Sequence, residues 1–205
     1  MMGHRAGKAF SWRALIAVGL LGPALVAATL SRPIVTEGSV ADVLVELLAW
    51  PLFVGGAALR VWATLYIGGR KGRRVTCEGP YSLCRHPLYI GTFLIALSAA
   101  VMLASPTVLV SVVLLGIAYA WLVIPAEERH LLGLLGDEYH AYCQKTPRLL
   151  PILKKPQSPE WIDVRVGSLW LEFRRSLRWL MIPAICELVN CLRMDSHWPH
   201  LLNLP

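Results

Sequence analysis

Residues 81–104 read YSLCRHPLYIGTFLIALSAAVMLA. An arginine, a histidine and a proline stand directly before an apolar run that carries no charge as far as Ala104. Pro87 suits the first position of a helix, where its missing N–H costs nothing. The residue before a proline is pushed out of the α region, which makes His86 a cap. The run therefore reads as a helix from Pro87, with free N–H groups and a positive dipole end beside Arg85 and His86. Ser105 and Pro106 make a tight turn, and a second apolar run continues from about Thr107 to Pro125.

The rest of the chain has the same character. Of its 205 residues, 56% are hydrophobic and 16% charged, against about 25% charged in a typical soluble domain. The mean hydropathy is +0.54. A membrane helix needs roughly 20 mostly apolar residues. Further candidate spans run from about Trp12 to Leu30, from about Val40 to Ile67 with Pro51 inside, and, more weakly, from about Leu177 to Leu192 with Glu187 inside. The expected class is an all-α, polytopic transmembrane helix bundle of about five spans with short cytoplasmic helices. We expect one membrane domain over 1–205, made of N-terminal spans (1–68), a central core (69–156), and an interfacial helix with a C-terminal span (157–205).

Lys and Arg mark the cytoplasmic side of a membrane protein. Arg5, Lys8 and Arg13 precede the first span. Arg70, Lys71, Arg73, Arg74 and Arg85 lie between the second and third, and Arg129, Lys145, Arg148, Lys154, Lys155 and Arg165 follow the fourth. Only Arg32 lies between the first two spans. This places the N-terminus inside and, with five spans, the C-terminus outside. A signal peptide is the rival reading of the first span, with LVAAT (25–29) as its cleavage site. The apolar run is longer than the usual h-region, which favours a retained span.

In WLEFRRSLRWLM (170–181), Trp170, Phe173, Leu177 and Leu180 share one helical face and Arg174, Arg175 and Arg178 the other. Such a basic amphipathic turn suits a membrane interface; simple snorkelling anchors at the start of the fifth span fit it equally. The basic residues follow topology and form no single patch, so no nucleic-acid partner is expected. The five cysteines include no CxxC pair, and Cys77, Cys84 and His86 match no zinc spacing, so no metal is expected.

Two polar clusters resist a bland account. RRVTCEGPYSLCRHPLY (73–89) is one; EERHLLGLLGDEYHAYCQKTPRLLP (127–151) is the other. An up-and-down hairpin separates His86 from Glu127, so both clusters should return to one membrane face. Paired carboxylates where a span leaves the bilayer imply a cationic partner, Arg85 or a positively charged ligand. Gly136 can end the helix that carries them. Tyr139 and Tyr142 then share a face, and Pro147 and Pro151 bracket Arg148. Glu187, inside a span, is by default a functional candidate; depth sets it apart from Arg60.

The ordered pattern G-x-Y, R-H-P-x-Y-x-G, E-E-x-x-L, G-x-x-Y-x-x-Y and a closing proline resembles the isoprenylcysteine carboxyl methyltransferase and phospholipid methyltransferase superfamily. The likeness covers about Arg73 to Pro151. It implies an integral membrane enzyme that uses S-adenosylmethionine without a Rossmann fold, in a bacterial inner membrane or its equivalent, with a cytoplasmic active site. It also implies an apolar or lipid-like acceptor and cofactor contacts from Val75, Thr76, Tyr81, His86, Pro87, Leu88, Tyr89, Glu127 and Glu128. Arg85, His86 and Glu127 are the candidates for catalysis, and Tyr139, Tyr142 and Arg148 for the substrate side. In the prenylcysteine branch an arginine one turn before the glutamates faces the substrate carboxylate; here that position is Val123, so a lipid amine, a thiol or another apolar acceptor stays open. Sterol reductases, which use NADPH, share RHPxY but carry asparagine at the position of Leu88 and acidic character at Thr92. A non-catalytic lipid-binding protein is the third reading.

Overall fold

A computed structural model describes residues 3–67, 74–152, 155–162, 164 and 166–202, with side chains from residue 12 onward and 168 excepted. Arg70, Lys71, Arg73, Lys154 and Arg165, and the side chains of Arg5 and Lys8, lie outside the described residues. The regular elements among the described residues are helices, as expected: α1 (Gly3–Thr29), α2 (Val40–Ile67), α3 (Pro87–Met102), α4 (Pro106–Ala118), α5 (Ile124–Lys145), α6 (Val166–Trp179) and α7 (Met181–Met194). A 3₁₀ turn, Gly79–Ser82, precedes α3, and one π-helical turn, Tyr119–Val123, joins α4 to α5.

Local chemistry sets the ends. Ser39 accepts the amide of Asp42 at the start of α2. Ser105 accepts the amide of Val108, and Pro106 is the first residue of α4. Gly136 breaks α5 with φ 55° and ψ −133°, a conformation few other residues tolerate; the helix resumes at once.

Among the described residues, three stretches are long and apolar enough to cross a membrane: Trp12–Thr29, Val40–Ile67 and Pro106–Lys145. The other two expected spans are shorter helices, α3 with 16 residues and α7 with 14. The expected segment Leu177–Leu192 is interrupted at Leu180. Pro183 has no amide to donate, and its ring opposes the carbonyl of Trp179, which favours a break between the two helices here.

The chain divides into two compact units. The first comprises Met1–Trp50, Ala96–Pro125 and Pro183–Pro205. In it α1 packs on α4, and buried Arg193 of α7 donates to the carbonyls of Ser31, Arg32 and Leu103. Glu187, with Glu37, Asp42 and Glu46, lines a cavity of about 100 Å³.

The second unit comprises Pro51–Ile95 and Ala126–Ile182. Here α2 and α3 approach through glycine. A Cβ on Gly56 would lie 2.7 Å from the Gly91 carbonyl oxygen, and one on Gly91 would lie 2.7 Å from that of Gly56. Small residues permit such backbone contact between membrane helices. Ala63, Tyr66 and Tyr81 form a buried cluster against which Trp62, Leu65, Leu88 and Ile162 pack.

Candidate functional site

The two polar clusters meet within this second unit. Helix α3 starts as its sequence dictates: the His86 carbonyl accepts the amides of Tyr89 and Ile90, and Pro87 is fully buried. Four residues before the span, the Leu83 carbonyl accepts the amide of Ile152. Ser82 accepts the amide of Gln157, and Gly79 donates to the Gln157 carbonyl at 2.6 Å. The segment after α5 thus folds back on the segment before α3.

Glu128 is the electrostatic centre. It is 9% exposed, and burying a carboxylate is costly without partners. Arg85 Nη1 donates to its Oε1 at 2.9 Å, Arg148 Nη2 lies 2.7 Å from its Oε2, and His86 Nε2 lies 3.2 Å from Oε1. Arg85 also donates through Nε to the Thr146 carbonyl at 2.7 Å and through Nη2 to that of Cys143 at 2.5 Å. Its amide donates to the Pro147 carbonyl. Arg85 is therefore the bolt between the two clusters, and the cationic partner of Glu128 is supplied from within the chain.

Glu127 differs from its neighbour. Its Oε2 accepts the Tyr89 hydroxyl at 2.5 Å, across one turn of α3 from His86, whose ring centroid lies 5.7 Å from that of Tyr89. His86 is 6% exposed, and burial lowers its pKa against the pull of Glu128. Its ring is thus neutral at pH 7 and donates Nε2–H to the carboxylate.

Tyr81 is 5% exposed, and its hydroxyl has no hydrogen-bond partner among the described residues; the same is true of the buried Thr76 hydroxyl. Burial raises the pKa of Tyr81 far above its usual value, so the hydroxyl stays a donor. Burial also pushes the Cys84 thiol up to about 11. Tyr142 spends its hydroxyl on the Tyr81 carbonyl at 2.7 Å, and its ring centroid lies 6.0 Å from that of Tyr139. Arg148 reaches Glu128 from the exposed side. Val75 is half-buried, and Leu88 packs on the Tyr81 cluster. Val123 is fully buried in the π turn.

One feature escaped the sequence reading. Arg60 of α2 pairs with Glu172 of α6, Nη2 to Oε1 at 2.9 Å. It also donates to the Leu88 carbonyl at 3.2 Å and to the Thr92 hydroxyl, and lies 4.4 Å from the centre of the Trp179 ring. The signal was one arginine within an apolar span and one acid, Glu172, within a basic helix.

A family model described as Phospholipid methyltransferase matches residues 40–138. NccN, the nickel-cobalt-cadmium resistance protein of Alcaligenes xylosoxydans xylosoxydans, is 32% identical over 146 residues, 71% of this chain and 68% of NccN. CzcN, the cobalt-zinc-cadmium resistance protein of Cupriavidus metallidurans, is 34% identical over 131 residues, 62% of this chain and 59% of CzcN. The Protein-S-isoprenylcysteine O-methyltransferase of Mus musculus is 34% identical over 84 residues, 38% of this chain. The match spans only 27% of that mouse protein's own length. No solved structure matches significantly. With its motif, its apolar helices and these relatives, the chain belongs to the isoprenylcysteine carboxyl methyltransferase and phospholipid methyltransferase superfamily of integral membrane methyltransferases.

Proposed function

We propose that the chain transfers the methyl group of S-adenosylmethionine to an apolar or lipid-like acceptor at the cytoplasmic face of a bacterial inner membrane or its equivalent. The observation that carries this reading is the bond from Tyr89 to Glu127 at the start of α3. It joins the two halves of the motif where a helix end favours an anion and a carboxylate favours a cation.

The residues fit the cofactor. Two buried hydroxyls, of Thr76 and Tyr81, have no partner among the described residues, and such orphans cost about 1–3 kcal/mol each until a ligand satisfies them. When bound, S-adenosylmethionine supplies an electrophilic methyl group on a sulfonium, together with an α-ammonium and a carboxylate. Glu128 is held by Arg85, Arg148 and His86; Glu127, oriented by the Tyr89 hydroxyl, is the carboxylate assigned to the cationic part. The first turn of α3, with Pro87 and Leu88, suits the carboxylate. Tyr81 and Tyr89 offer ring faces, and Val75 an apolar wall. Arg85 and His86 act by holding Glu128, and so the two clusters, in register. In-line methyl transfer asks mainly for alignment and exclusion of water, which this buried frame provides. Tyr139, Tyr142 and Arg148 border the acceptor side.

Calorimetry on the protein in lipid tests the reading, with S-adenosylmethionine titrated against NADPH. Binding of the first, weakened by Glu127→Ala and by His86→Ala, is expected. No heat with the methyl donor, or binding of NADPH in its place, would sink it. Labelled methyl transfer into a crude lipid extract then identifies the acceptor.

A further inference from the structure

Helix α6 lies beyond the residues that the family model matches, and its contacts are unusual. Among the described side chains of α6, Leu169, Glu172, Ser176 and Trp179 turn inward, at helical spacing, and of these Glu172 is buried. Trp170, Phe173 and Leu177 are 58%, 50% and 48% exposed. Arg174, Arg175 and Arg178 are exposed beside them. Polar contacts hold the helix: Glu172 Oε1 receives both Nε, at 3.0 Å, and Nη2 of Arg60, and Trp179 covers the guanidinium. From Arg60 the contacts continue to the Leu88 carbonyl and the Thr92 hydroxyl, on the first turns of α3. Glu172 is the only acid in α6.

We propose that α6 is an interfacial latch whose outer faces seat on an anionic phospholipid surface and whose inward Glu172 fastens Arg60 behind the first turn of α3. Two features name the occupant. Indole and phenyl rings with a leucine suit the acyl boundary, and the exposed arginines complement acidic headgroups, although Arg175 Nη1 also reaches Glu172 Oε2 at 3.4 Å. Glu172 and Arg60 are positioning residues: they brace Leu88 between His86 and Tyr89. What the latch serves rests on the methyltransferase reading; the latch itself does not.

The full chain is reconstituted in nanodiscs of phosphatidylcholine alone or with about one-third phosphatidylglycerol. Trypsin cleavage at Arg174, Arg175 and Arg178 is timed against cleavage at exposed Lys145. Three surface arginines should slow relative cleavage of α6 at least about tenfold in the anionic discs. Glu172→Gln should raise cleavage in both discs and weaken S-adenosylmethionine binding, while Glu172→Asp restores most of both. Equal cleavage in the two lipids overturns the proposal. So does protection that appears only with two copies per disc, because a second chain then covers the face. Lipid-dependent protection in a protein that binds no S-adenosylmethionine supports the latch and sinks only the methyltransferase reading.

Discussion

The hydroxyl of Tyr89 donates to Glu127 across 2.5 Å, from the first turn of α3 to the first turn of α5. Its neighbour Glu128 bonds to Arg85, His86 and Arg148. Two adjacent carboxylates thus have separate roles, and this division makes them separable by mutation.

Tyr89→Phe removes the donor and leaves the ring. S-adenosylmethionine binding should weaken by about tenfold as Glu127 loses the bond that orients it, and stability should fall by about 1–2 kcal/mol, the worth of one hydrogen bond to a charged group. Glu127→Gln keeps the shape and removes the charge, and should weaken binding further. Calorimetry in lipid with parallel melting curves checks both.

Glu128→Ala should act on folding instead. It leaves Arg85 part-buried without its carboxylate, and breaking such a pair costs about 3–5 kcal/mol. Arg148→Ala removes a partner whose side chain is 48% exposed, so it should cost less than about 1 kcal/mol. Unfolding by denaturing detergent distinguishes the two. Similar losses for both variants would contradict Glu128 as the buried centre.

Glycines on α2 and α3 should split by environment. A Cβ on Gly91 would sit 2.6 Å from Arg60 Cγ and 2.7 Å from a backbone oxygen; Gly91→Ala should destabilise by about 1–3 kcal/mol. Gly55 has nothing within 4 Å of its added Cβ. Gly55→Ala should therefore be neutral or stabilise by up to about 1 kcal/mol through helix propensity. The same unfolding assay reads both, and the opposite signs are the test.

His86 gives a pH dependence. Burial lowers its pKa below the ordinary histidine value, so the unfolded chain takes up the proton first as the pH falls. Its contribution is complete above the unfolded pKa of about 6.5 and is lost progressively below it. Stability should fall with pH in this window, and His86→Gln should flatten that part of the profile. A profile that His86→Gln leaves unchanged would exclude this residue as the cause.

Much of the site could be read from the chain. Arg85, His86, Pro87 and Tyr89 announce a helix start, and a hairpin length between His86 and Glu127 predicts their return to one place. The contacts confirm that meeting. The separate partners of Glu127 and Glu128 were not legible, because neighbouring residues of one type carry the same sequence signal and differ only in the direction of their side chains. Nor was the bond from Arg60 to Glu172, which lie 112 positions apart, because no local pattern links them.

The sequence alone determined the helical class, the hairpin, the capped start of α3 and the family. These follow from local rules: apolar length, proline geometry and the spacing of polar motifs. Tertiary structure decided that Arg85 bolts the two clusters, that Glu127 takes Tyr89, and that α6 is fastened by one ion pair. Each depends on which side chains share a buried space, where the cost of an unpaired charge selects the partner.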